Sequence, residues 1–179
     1  MTLVFLLGGA RSGKSALAVR LAEGSGLPVT FLATAEARDE EMAERIARHR
    51  AARPAGWTTI EEPVDLVGAL DRVPADSCLV VDCLSLWVSN VLERGEEAIE
   101  REASEAAARV AAREALSVAV SNEVGLGIVP ASDLGRRYRD LLGRVNAVWA
   151  ESAGEAALVV AGRLVPLARA ESLLANLDA

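Results

Sequence analysis

The stretch LLGGARSGKSALA, residues 6–18, decides how the rest of the chain is read. It holds Lys14, the one lysine in 179 residues; every other Lys-or-Arg position is arginine. Gly8, Gly13, Lys14 and Ser15 have the spacing G-x-x-x-x-G-K-S of a phosphate-binding loop, or P-loop. The wholly apolar run before it, residues 3–7, reads as a strand buried on both faces. Residues 14–26 read as a helix that stops near Gly24 or Gly26. That context supplies the physics of the motif. Glycines let backbone N–H groups converge on phosphate oxygens, and a helix N-terminus adds the positive end of its dipole. Lysine is a slim point charge that reaches phosphates inside the loop, where the broad guanidinium fork of arginine does not fit. Gly8, Gly9, Ala10, Arg11, Ser12, Gly13, Lys14 and Ser15 are therefore candidate nucleotide-binding residues, with Lys14 catalytic and the Ser15 hydroxyl a ligand for Mg²⁺.

Working outward, residues 28–34, 57–62, 78–82 and 116–121 read as further strands. Residues 37–53, halted by Pro54, and 64–70, 83–92 and 132–154 read as helices, the last with Ser132 as N-cap. Residues 122–130 form a glycine-bearing loop, and 157–167 a strand or a two-strand hairpin around Gly162–Arg163. Residues 93–116, rich in Ala, Glu and Arg, read as a solvated connecting helix. Buried strands alternating with helices give one α/β domain over residues 1–179, with a mostly parallel sheet flanked by helices. Asp82 ends an apolar strand, the position from which an acid holds Mg²⁺ beside a P-loop.

Composition narrows the function. Apolar residues make up 51% and charged residues 25%, as in ordinary globular chains. The net charge of −7 argues against a general nucleic-acid binder. No apolar run reaches the ~18 residues of a membrane span. The start has no basic region of the kind that opens a signal peptide. Cys78 and Cys83 are expected on opposite faces of their strand and unpaired, so a reducing cytoplasm is the expected location.

His49 is the only histidine. At helical spacing it follows Met42 and Ile46 on an apolar stripe, which suits a packed core histidine. Arg45, Arg48, Arg50 and Arg53 surround it, which suits an anion instead. A neutral imidazole beside a phosphate-binding surface is a candidate covalent nucleophile.

GGARSGKS (8–15), ATAEARDEEMAERIARHRAARPAGWTTIE (33–61), VVDCLSLWVSN (80–90), SNEVGLGIVP (121–130) and RRYRDLLGRVNAVWAESA (136–153) together carry a resemblance. The chain resembles the bifunctional adenosylcobinamide kinase/adenosylcobinamide-phosphate guanylyltransferase family over nearly its whole length. The resemblance implies a RecA-like P-loop NTPase fold and a homotrimer. It implies phosphorylation of the aminopropanol hydroxyl of adenosylcobinamide by ATP or GTP. Transfer of GMP from GTP to that phosphate then follows through a covalent histidine, releasing pyrophosphate. Carried over by position, the histidine is His49, and nucleotide contacts fall on Ala33, Thr34, Ala35, Arg50, Ala51, Ala52, Arg53, Glu61 and Asp82. Two departures are visible: Ser85 stands where threonine is common, and Arg48 stands where some members have a second histidine. A single-function P-loop small-molecule kinase is the other reading of the same residues.

Overall fold

The computed structural model describes residues 2–51 and 53–170. Seven strands form one sheet: β1 (Leu3–Gly8), β2 (Val29–Ala33), β3 (Thr58–Glu61), β4 (Cys78–Asp82), β5 (Ser117–Asn122), β6 (Glu155–Val160) and β7 (Arg163–Pro166). Their spatial order is β3-β2-β4-β5-β1-β6-β7. All neighbouring pairs are parallel except β6 with β7, which form an antiparallel hairpin. Six helices connect the strands: α1 (Lys14–Gly24), α2 (Glu40–Ala51), α3 (Leu66–Leu70), α4 (Leu84–Val91), α5 (Glu96–Ala111) and α6 (Asp133–Ser152). This is the mostly parallel α/β sheet expected from the sequence, with the P-loop between β1 and α1.

Side-chain alternation explains the layers. On β1, Leu3, Phe5 and Leu7 pack with α4, α5 and α6, while Leu6 packs with Ala18 and Ala22 of α1. The apolar runs of β4 and β5 divide in the same way. Ser132 caps α6 by accepting from the Gly135 N–H at 3.1 Å, as expected.

Three expectations change. Residues 96–111 are not a solvated connector: Ile99, Ala103, Ala106, Ala107 and Val110 of α5 are buried against the core. Alanine is small enough to let a helix approach closely, so a face built from it carries little hydrophobic signal in the sequence. Beside that stripe the half-buried Glu96 and Glu100 turn toward α6, where Arg144 pairs with both and Arg137 with Glu96. Second, the stripe on α2 ends before the histidine: Met42 and Ile46 are half-buried and His49 is exposed. Third, Cys78 and Cys83 pack into the same layer, because strand alternation stops at Asp82. Both are nevertheless free thiols.

Candidate active site

The P-loop and the predicted residues that end strands meet at the carboxyl edge of the sheet, where parallel α/β folds bind ligands. Strand register places them side by side. Ala33 at the end of β2 lies opposite Glu61 on one side and Asp82 on the other. Gly8 at the end of β1 lies opposite Asn122. The strand β5 stands between the strand that bears Asp82 and the strand that leads into the P-loop.

The P-loop geometry depends on two glycines. A Cβ on Gly8 would stand 2.4 Å from the Val159 carbonyl oxygen and 2.8 Å from Ser12 Oγ. Gly13, the residue before α1, has a φ of 101°, which L-residues with side chains rarely adopt. The turn of the terminal hairpin buttresses the loop, with the Gly162 N–H donating to the Ser12 carbonyl at 2.8 Å. Gly9, Ala10 and Arg11 form the exposed crest, and Arg11 is left-handed with φ 58°.

Lys14 is 7% exposed, and its Nζ donates to the Gly9 carbonyl at 2.8 Å, so the ammonium lies folded within the loop. Burial pushes its pKa below the usual lysine value, the nearby Cys83 and Asp82 oppose that, and Arg45 adds to it. The Ser15 side chain lies near enough to the Asp82 carboxylate to favour its ionised form. Burial pushes Asp82 above the usual carboxylate range, while the neighbouring Ser15, His49, Lys14 and Arg53 pull it down. Lys14, Ser15, His49, Arg53 and Asp82 thus form one electrostatic unit, although His49 belongs to α2.

The remaining predicted residues have varied surroundings. Arg53 lays its guanidinium over the Phe31 ring, 3.9 Å from the centroid, and Phe31 stacks with Trp57. Arg50 pairs with Glu61 at the surface. Ala51 is exposed at the end of α2, and Ala35 is half-buried just beyond β2. Ala52 lies outside the described residues.

Thr34 is fully buried, and its hydroxyl is committed elsewhere. Oγ1 donates to the Cys83 carbonyl at 2.7 Å and accepts from the Cys83 N–H at 2.9 Å. The Thr34 carbonyl accepts from Asn90 Nδ2 at 2.8 Å, and the same amide reaches the Pro63 carbonyl at 3.0 Å. Thr34 and Asn90 therefore brace the residue that follows Asp82. The sequence reading missed Asn90, since nothing local announces that a helix residue bonds two backbone segments distant in sequence. Thr34→Val is expected to leave the Cys83 N–H and carbonyl without that partner, costing roughly 2 kcal/mol of stability. Kinase turnover should fall with it and Thr34→Ser should restore both, as urea unfolding and a Mg²⁺ titration of the rate would check.

Oxygen ligands and a nearby P-loop suit Mg²⁺, which takes one or two protein oxygens and fills its shell from phosphates and water. Ser15 Oγ and the Asp82 carboxylate, which influence one another at this edge, are the residues that would hold it.

Comparison with known proteins identifies the family. The family model described as "Cobinamide kinase / cobinamide phosphate guanyltransferase" matches residues 4–167. The bifunctional adenosylcobalamin biosynthesis protein CobP of Pseudomonas aeruginosa is 46% identical over 171 residues, covering 90% of this chain and 95% of the relative. The bifunctional adenosylcobalamin biosynthesis protein CobU of Escherichia coli is 38% identical over 176 residues, covering 89% and 96%. Its Salmonella typhimurium counterpart matches to the same extent. Among solved structures, the flagellar accessory protein FlaH of Methanocaldococcus jannaschii is similar with a TM-score of 0.49 and 15% identity, over 91% of this chain and 74% of that one. The range matched, residues 4–167, includes the phosphate loop, the lone histidine and the strand-end acid, and the chain belongs to the cobinamide kinase/cobinamide phosphate guanyltransferase family.

Proposed function

We propose that both reactions of this enzyme run on one nucleotide site at the carboxyl edge of the sheet, the second through a covalent GMP on His49. The chain is a cobinamide kinase and cobinamide-phosphate guanylyltransferase of adenosylcobalamin biosynthesis. The observation that carries the single-site reading is the strand order, which sets Asp82 at the end of β4 and the P-loop after β1 on either side of β5 at one sheet edge; His49 adds an electrostatic pull on Asp82.

In the kinase step the aminopropanol oxygen of adenosylcobinamide bonds to the γ-phosphorus of ATP or GTP. The bond from that phosphorus to the β–γ bridging oxygen breaks, and the hydroxyl proton is lost. Lys14 and the converging N–H groups of the loop stabilise the charge that spreads over the phosphoryl oxygens. In the transfer step an imidazole nitrogen of His49 bonds to the α-phosphorus of GTP, and pyrophosphate leaves. An oxygen of cobinamide phosphate then displaces the histidine, so the P–N bond breaks and a diphosphate linkage forms. Mg²⁺, when bound, supplies neutralising charge to the nucleotide phosphates. Arg45, Arg50 and Arg53 bring further positive charge to the same edge, and Ala33, Ala35, Ala51, Ala52 and Glu61 complete the proposed nucleotide contacts.

A homotrimer belongs to the same reading. It is supported by the exposed apolar surface of the terminal hairpin, where Val160, Leu164 and Val165 are uncovered on the sheet edge; sedimentation at the mass of three chains checks it. The two buried free thiols support a reducing cytoplasm as its compartment. No helix among the described residues is long and apolar enough to cross a membrane.

Product analysis tests the function. Enzyme, Mg²⁺, GTP and adenosylcobinamide are expected to give adenosylcobinamide-GDP and pyrophosphate. A product that stops at the monophosphate would favour the single-function kinase.

A further inference from the structure

The loop after β5 presents aliphatic side chains to solvent. Leu126 is 82% exposed, Ile128 97% and Val129 62%, and Leu134 at the start of α6 is 58% exposed. Surface loops are ordinarily polar, and a clustered apolar exposure marks a surface that something covers.

The loop is anchored at both ends. At its start the Glu123 N–H donates to the Gly8 carbonyl at 3.0 Å, and Asn146 of α6 donates to the Asn122 carbonyl at 3.1 Å. At its end Arg136 donates to the Pro130 and Ala131 carbonyls, each at 2.8 Å. Its root lies between the strand that carries Asp82 and the P-loop. The loop that carries the apolar residues therefore starts beside the P-loop, at the edge where the proposed acceptor must meet the γ-phosphate. Gly125 and Gly127 alternate with the aliphatic residues, so no bulky side chain stands between them.

We propose that Leu126, Ile128 and Val129, with Leu134 beside them, form the platform on which the face of the corrin macrocycle rests while its aminopropanol arm reaches the P-loop. The inference rests on the cobinamide reading above and names the subsite that reading leaves open. Three observations fit this occupant. The acceptor is a large, largely apolar ring whose reactive group is at the end of an arm. The platform is continuous with the nucleotide site through Glu123 and Gly8. An alkylcobalt(III) corrin with amide arms carries net positive charge, and the one charged residue in 122–130 is the acidic Glu123. The arginines of α2, which suit a nucleotide, lie on a different element.

The test is a double variant, L126S/I128S. Both side chains are almost wholly exposed, so the fold does not depend on them. Binding of cobinamide alone is measured by equilibrium dialysis, KM for cobinamide and for GTP by steady-state kinetics, and mass by sedimentation. At least tenfold weaker cobinamide retention is expected. The KM for cobinamide should rise similarly, while the KM for GTP stays within about twofold and the mass is unchanged. Ile128→Leu should retain cobinamide as the wild type does. Unchanged retention and KM in the double variant would overturn the platform. So would a fall in sedimenting mass, which would assign the surface to a second copy of the chain. Dialysis needs no turnover: wild-type retention lost in the variant supports the platform even without any GDP adduct, so the platform and the reaction assignment fail separately.

Discussion

Lys14→Arg should reduce the kinase step by on the order of 10²–10³-fold or more, although the charge is kept. The Lys14 ammonium is buried within the loop and bonded to the Gly9 carbonyl at 2.8 Å. A guanidinium needs room for a planar fork of five donors. The loop has little room to give, because its turn is fixed at Gly8 by the Val159 carbonyl and at Ser12 by Gly162. The variant is expected to melt close to the wild type, since the site rather than the core is disturbed. Kinase turnover with saturating cobinamide checks this. Near-normal turnover would show that positive charge alone suffices and that the loop's shape does not select lysine.

Much of this site was legible because its signals are local. The glycine spacing of residues 8–15, the apolar run before it and the acid closing 78–82 each lie within a few residues of chain. The hairpin was legible in part: Gly162 marked a turn, but the turn is Ala161–Gly162, with Arg163 already in β7, and nothing in the sequence announces the positive φ of Ala161. The strand ends, by contrast, meet through register. That Ala33 sits between Glu61 and Asp82 follows from pairings between segments tens of residues apart, which no local pattern encodes. The same holds for the Thr34–Cys83 and Asn90–Pro63 bonds. Thr34 shows the consequence. Motif resemblance put it among the nucleotide contacts, whereas its hydroxyl is engaged on the backbone after Asp82. The burial of α5 was illegible for another reason, because an alanine face looks the same whether it meets solvent or a neighbouring helix.

The exposed position of His49 is informative in the same way. The stripe from Met42 to Ile46 suited a packed histidine and the surrounding arginines suited an accessible one; His49 is open to solvent at the end of α2, as the arginines argued. A packed core histidine is thereby set aside. An accessible imidazole, on the helix whose Arg45 acts on Lys14, suits the nucleophilic role proposed for it.

The central claim, covalent guanylylation of His49, is tested most directly by labelling. GTP labelled on the α-phosphate should leave label on the wild-type protein, and GTP labelled on the γ-phosphate should not. The bond should be lost in acid and survive alkali, as expected of a phosphoramidate. His49→Ala should lose the label and the GDP adduct by at least about 10³-fold, on the scale seen when a covalent nucleophile is removed. It should still form cobinamide phosphate, because Lys14, Ser15 and Asp82 are untouched. Label on His49→Ala at the wild-type yield would contradict the account and leave this chain's transfer step without its proposed nucleophile.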